Sequence, residues 1–212
     1  MFGDLHIHMI LDGVYYRAAI DAQKEHPLDG LVRARLSDYQ ARGVCLLRDG
    51  GDAWGVSLRA RELAGEYGID YRSPAFPIYR RGHYGAFIGR GFDTEDEYRA
   101  LLDEAGEKRA DFIKLMISGL IDFDHFGVLT EPGPEPQDIR RMIELAHAAG
   151  FAVMAHANGD RAVTAALQAG VDSIEHGAKP DAHILQLFKE TGAFLCTTIS
   201  PALPYALFDR SL

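Results

Sequence analysis

The sequence predicts an α/β protein whose strands run parallel, with the (β/α)8 barrel as its nearest regular form and about seven strands to build it. Three observations carry this. One unit recurs along the chain, an amphipathic helical segment, a Gly or charged cluster, a short apolar strand and a polar loop: "ARGVCLLRDGG", "EYGIDYRSPAF", "KRADFIKLMISG", "AAGFAVMAHANG", "QAGVDSIEHG" and "ETGAFLCTTIS". Strands such as "FAVMA" are apolar throughout, as in a sheet covered on both faces. The 212 residues suffice for one sizeable domain. They fall short of the roughly 250 of a complete eight-unit barrel.

Taken in order, the strands are expected at residues 3–9, 44–48, 69–76, 111–118, 151–156, 171–176 and 193–199. Segments of helical period lie between them. Ile139, Met142, Ile143 and Ala146 follow i, i+3, i+4, i+7, with Asp138 placed as N-cap and Gly150 as stop. Thr94 and Glu97 have capping-box spacing ahead of "YRALLDEAG", Asp160 suits the start of "RAVTAALQAG", and Pro180 suits the first turn of "DAHILQLFKETG". Two connections are long, "PIYRRGHYGAFIGRGFD" after the third strand and "GLIDFDHFGVLTEPGPEP" after the fourth. Loops of that size commonly line binding sites, and in barrels they stand on the catalytic face.

A net charge of −9 and a pI near 5.4 disfavour nucleic acid and anionic membrane as partners, since both require clustered Lys and Arg, and favour a small-molecule substrate. No apolar run approaches the roughly 20 residues of a membrane span, and no basic-then-apolar leader opens the chain. Cys45 and Cys196 lie far apart inside apolar runs and read as free thiols, so the expected location is cytoplasmic. The glycine-rich "RDGGD" and "GRGF" lack phosphate-cradling spacing, and no nucleotide site is expected.

Residues two apart on a strand share a face, which sets Asp4, His6 and His8 opposite Leu5, Ile7 and Met9. Alone, such a histidine pair reads first as two buried, hydrogen-bonded side chains. In "DFIKLMISG", the apolar face of Ile113, Leu115 and Ile117 phases Phe112, Lys114, Met116 and Ser118 to the other side. A lysine there either finds a loop or a carboxylate, or loses its proton affinity to burial. The neutral amine then captures carbon dioxide as a carbamate, whose two oxygens ligate or bridge cations. His156 in "AHANG" and His176 in "IEHG" fall where strand gives way to loop. Each alone fits a satisfied core residue. Together with His6, His8 and Lys114, at or near C-terminal strand ends, they suit zinc, manganese, iron or nickel.

The "HIH", the lysine of "FIKLMISG", the histidine of "MAHANG" and that of "SIEHG" occur in this order over essentially the whole chain. They resemble the successive metal-binding motifs of the amidohydrolase superfamily, most closely its imidazolonepropionase-like and Xaa-Pro-dipeptidase-like branch. The resemblance implies a TIM-type barrel with a binuclear metal centre, expected to hold two zinc ions. His6 and His8 would bind one metal, His156 and His176 the other, and Lys114, carboxylated by carbon dioxide, would bridge them. It also implies hydrolysis of a C–N bond in a small amide, dipeptide or N-acyl amino acid, with Lys114 and His176 in catalytic roles. A phosphoesterase or lactonase on the same site, or a non-catalytic homologue, are the alternatives.

Relatives carry a strand-eight aspartate, and many carry a small β-sandwich. Here Asp209 is the one acidic residue past the seventh strand, and its loop position leaves it without that role. The chain is therefore expected to be a single barrel domain over residues 1–212 without a β-sandwich, a fragment of a longer enzyme. Its open first and seventh strands would invite another chain, a homo-oligomer included. Lesser candidates for receiving a substrate carboxylate are Arg80, Arg81, His83 and Tyr84 after the third strand and His125 in "DFDHFG"; solvated loop residues explain them as well. Asp49 reads either as an acceptor behind a metal-bound histidine or as an ion pair with Arg48. His26, His147 and His183 fall in or beside helical segments and receive no chemistry.

Overall fold

Strand and helix alternate as the apolar periodicity requires, and the strand residues that face the helices are those the pattern marks. A computed structural model describes residues 1–122, 124–125, 128–177 and 180–198. The elements are β1 (Phe2–Ile7), α1 (Tyr16–Asp21), α2 (Asp29–Ala41), β2 (Val44–Asp49), α3 (Val56–Ala64), β3 (Asp70–Arg72), β4 (Pro77–Arg80), β5 (Arg90–Phe92), α4 (Glu95–Glu107), β6 (Ile113–Met116), α5 (Pro136–Ala148), β7 (Val153–Ala157), α6 (Asp160–Gln168), β8 (Ser173–His176), α7 (Ala182–Thr191) and β9 (Phe194–Cys196). Every strand pairing within the sheets is parallel, in the orders β1-β2-β3 and β5-β4-β6-β7-β8-β9.

The α/β class with parallel strands stands. The barrel was expected to be incomplete, and among the described residues its strands fall into two sheets without closure. The expected third strand is divided at residues 73–76, where Ala75 takes φ 65°, which sends β3 to one sheet and β4 to the other. The sheets stay adjacent there, since Asp111 N donates to Ser73 O at 2.8 Å and Asp52 N to Ala75 O at 3.3 Å. The short strands β4 and β5 occupy what reads as loop, because arginines and glycines dilute their apolar pattern. Pro77 takes the first position of β4, where proline is tolerated in a sheet.

Each sheet has its own core. Ile7, Leu47 and Tyr71 pack with Val32 and Leu36 of α2 and Val56, Ala60 and Leu63 of α3. Ile78, Ile113, Leu115, Val153, Ala155 and Ile174 pack with apolar residues of α4, α5 and α6. Burying each such large side chain contributes roughly 1.5–3 kcal/mol before chain entropy is set against it. Phe2, Leu5 and Phe194, on β1 and β9 at the outer edges of the two sheets, are 69%, 46% and 76% exposed. Among the described residues no helix is long and apolar enough to cross a membrane.

Candidate metal centre

Parallel pairing sets residues of neighbouring strands side by side, so register decides which side chains share the interior. With Ile113, Leu115, Val153, Ala155 and Ile174 turned to the helices, the intervening positions of β6, β7 and β8 face inward. Lys114, Met154, Ser173 and Phe194 form one row, and Met116, His156, Glu175 and Cys196 form the next. Lys114 and Glu175 are 0% exposed and His156 2%.

His176 departs from this alternation. With Ser173 and Glu175 inward, it should face out beside Ile174. Its backbone instead takes φ 72°, the left-handed region that residues other than glycine enter rarely. That turn brings its ring centroid within 4.9 Å of His6 and 4.7 Å of His156. His8 joins from the end of β1, 5.6 Å from His6. Gly50 makes room for it, because a Cβ there would lie 2.3 Å from His8 Cε1. The structure thus brings His6, His8, His156 and His176 into one cluster.

One nitrogen of each ring is anchored. His6 Nδ1 donates to Glu175 Oε2 at 2.6 Å, His8 Nδ1 to Gly51 O at 3.0 Å, and His156 Nε2 to Gly119 O at 3.1 Å. His176 Nδ1 meets the Thr198 hydroxyl at 2.5 Å. The opposite nitrogen of each ring makes no hydrogen bond among the described residues. Fixing one nitrogen on an acceptor is how a protein sets the tautomer of a metal-ligating histidine. Asp49 supports His8 through the backbone: it accepts Met9 N at 3.2 Å and Gly51 N at 2.7 Å, and Tyr71 donates its phenol to it. Arg48 does not pair with Asp49 as one reading held; its Nη2 donates to Glu175 Oε1 at 2.7 Å.

The electrostatics follow from this crowding. Burial pushes His8 down to about 4 and His156 down to about 3, with the Lys114 charge acting the same way on both. His6 and His176 lie far below the ordinary imidazole value, again first through burial and then through Lys114 and the neighbouring rings. Lys114 falls to about 8 because burial disfavours its charge and Arg48 repels it, while Glu175 works against the shift. Its Nζ is buried, with no hydrogen-bond partner among the described residues.

These residues fit a cation in their donor chemistry: neutral imidazoles with a lone pair to spare around an unpartnered amine. Among the described residues, no three His, Cys, Asp or Glu side chains converge closely enough to hold an ion unaided. A carbamate on Lys114 would add two oxygen donors to the imidazoles.

The lesser candidates lie elsewhere. Arg80 pairs with Asp138; Arg81 Nη1 reaches Asp93 and Glu97, both at 2.7 Å; His83 meets Glu131 at 2.6 Å; His125 meets Asp122 at 3.1 Å. Tyr84, from the same loop as His83, does border the cluster, its ring 5.0 Å from that of His156. Asp209 lies outside the described residues. An open cleft lined by Arg48, Arg72, Asp111, Met154, Ser173 and Phe194 includes none of the histidines. Glu175 is the residue that sequence reasoning missed, although the alternation of "SIEH" already sets it on the face opposite Ile174.

No family model matches the chain. It is similar to ochratoxinase of Aspergillus niger, with 28% identity over 162 residues, covering 74% of this chain and 31% of that protein. Among solved structures, A. niger ochratoxinase superposes with a TM-score of 0.78 at 20% identity, covering 99% of this chain and 54% of its own. A Xaa-Pro dipeptidase with methionine bound in its active site gives 0.68 at 21% identity, with 93% and 53% covered. A solved amidohydrolase gives a TM-score of 0.64 at 24% identity, with 91% and 51% covered. The chain spans about a third of the curated relative, 31%, and about half of the solved chains.

Proposed function

We propose that this chain carries the metal site of a hydrolase that cleaves amide or peptide bonds, in which His6, His8, His156, His176 and a carboxylated Lys114 hold two divalent ions, zinc by the nature of the donors. The observation that carries this reading is Lys114, a fully buried amine with no hydrogen-bond partner among the described residues, ringed by neutral imidazoles. The similarity to ochratoxinase and to a Xaa-Pro dipeptidase supports a C–N bond in a small amide or peptide as the target.

With its affinity lowered to about 8, Lys114 exposes a neutral amine to carbon dioxide near neutral pH. The Nζ of the neutral amine forms a bond to the carbon and one proton leaves to solvent, so an anionic carbamate replaces a neutral amine among the imidazoles. When bound, the metals supply an activated water and an electrophile for the substrate carbonyl. Glu175, Gly51 and Gly119 keep three imidazoles in fixed tautomers. The turned backbone of His176 holds its ring against those of His6 and His156. The Tyr84 ring packs beside that of His156.

Turnover of dipeptides and N-acyl amino acids is expected to disappear after chelation and return with zinc and bicarbonate. Lactones and phosphotriesters serve as comparison substrates, and preferred turnover of either would replace the C–N assignment. Replacing Lys114 by Ala is expected to lower zinc content and to cut turnover about 100-fold or more. A Lys114→Ala protein with wild-type zinc content would refute the bridging role.

A further inference from the structure

Glu175 is a carboxylate with no access to solvent, set across the interior from β1 and β2. Three donors converge on it. Its Oε2 accepts His6 Nδ1 at 2.6 Å, and its Oε1 accepts Arg48 Nη2 at 2.7 Å and Ser173 Oγ at 2.9 Å. Arg48 in turn donates through Nε to Leu5 O at 2.8 Å and through Nη1 to Ser173 Oγ at 3.0 Å. One hydrogen-bonded network therefore joins β1 and β2 of the first sheet to β8 of the second and ends on a single imidazole.

We infer that Glu175 is a positioning residue that holds the His6 proton on Nδ1 and so leaves the His6 Nε2 lone pair for a ligand. The chemistry is one-sided. A carboxylate paired with a guanidinium only accepts, so the His6 nitrogen facing it must donate. Arg48 and Ser173 keep the other carboxylate oxygen occupied, which prevents Glu175 from rotating away. Buried networks satisfied at every member fix one geometry where an isolated buried carboxylate would be costly. The consequence for metal rests on the function proposed above; the tautomer itself does not.

The test uses the whole chain labelled with ¹⁵N-histidine and read by two-bond ¹H–¹⁵N correlations in metal-free protein, together with zinc titration. Wild type is expected to show His6 as the Nδ1–H tautomer. In Glu175→Gln, whose amide also donates, His6 is expected to shift towards Nε2–H and zinc to bind about 10–100-fold more weakly. Ser173→Ala, which touches Glu175 but not His6, is expected to keep the tautomer. A wild-type His6 in the Nε2–H form overturns the inference without any variant having to fold. So does a Glu175→Gln protein with unchanged tautomer and zinc affinity. Wild type that takes up no zinc, yet shows the tautomer change in the variant, supports the role of Glu175 and overturns the metal centre instead.

Discussion

Lys114 and the four imidazoles disfavour protonation of one another, and in metal-free protein this sets a pH dependence. Folded His8 titrates near 4 and His156 near 3, against about 6.5 in the unfolded chain. Below pH 6.5 the unfolded chain binds protons that the folded chain refuses, so stability falls on acidification towards pH 4. Asp52, raised to about 6 by burial, opposes this, because the folded state keeps a proton that the unfolded state releases above 3.8; buried Asp49 acts likewise. Two carboxyls against four imidazoles leave a net loss. Lys114 adds a second window: between pH 8 and 10.5 the unfolded chain holds a proton the folded one lacks, and stability rises with pH. Urea midpoints of chelator-treated protein are expected to be lower at pH 5 than at 7 and higher at 9.5 than at 7.5. A midpoint that rises on acidification contradicts the assignment. At this scale, the alternation of Ile113, Leu115 and Ile117 already set Lys114 inward in the sequence. The inward turn of His176 was hidden, because alternation cannot foresee a left-handed residue.

The elements show where sequence reading shifts by a residue or two. Thr94 caps α4 as its spacing predicts, accepting Glu97 N at 3.2 Å. α5 opens earlier than expected, with Glu135 at its N-cap and Pro136 in the first turn, where its fixed φ suits a helix. Asp138 is thereby released to bind Arg80. α6 opens at Asp160 as expected, while α7 takes Asp181 as its N-cap, one residue past the expected Pro180, because the Asp181 side chain accepts Ile184 N. β4 and β5 were illegible for want of length, and their arginines looked available as a result. In the folded chain Arg80 and Arg81 are occupied by carboxylates and are 36% and 48% exposed. Arg80→Ala and Arg81→Ala are each expected to leave KM within about threefold and to cost about 0.2–1 kcal/mol, the range of exposed ion pairs, in urea unfolding. A tenfold or greater rise in KM would return them to substrate binding.

Across the whole molecule, the cluster draws on the inward side chains of both sheets. β1 brings His6, with His8 just beyond it, from one side; β6, β7 and β8 bring Lys114, His156 and His176 from the other. The parallel α/β class was legible because strand-helix alternation leaves few other ways to bury both faces of a sheet. The two-sheet arrangement was not, since it turns on the backbone break at Ala75. Chain coverage of about half the solved relatives, 54% and 53%, makes the site a stricter test of the account than any rate. The most direct measurement is anomalous diffraction at the zinc edge from crystals of this chain grown with zinc and bicarbonate. The account predicts zinc peaks about 2.0–2.1 Å from imidazole nitrogens of His6, His8, His156 and His176, with a carbamate on Lys114 between them. Zinc bound only elsewhere, or none among these residues, would contradict it.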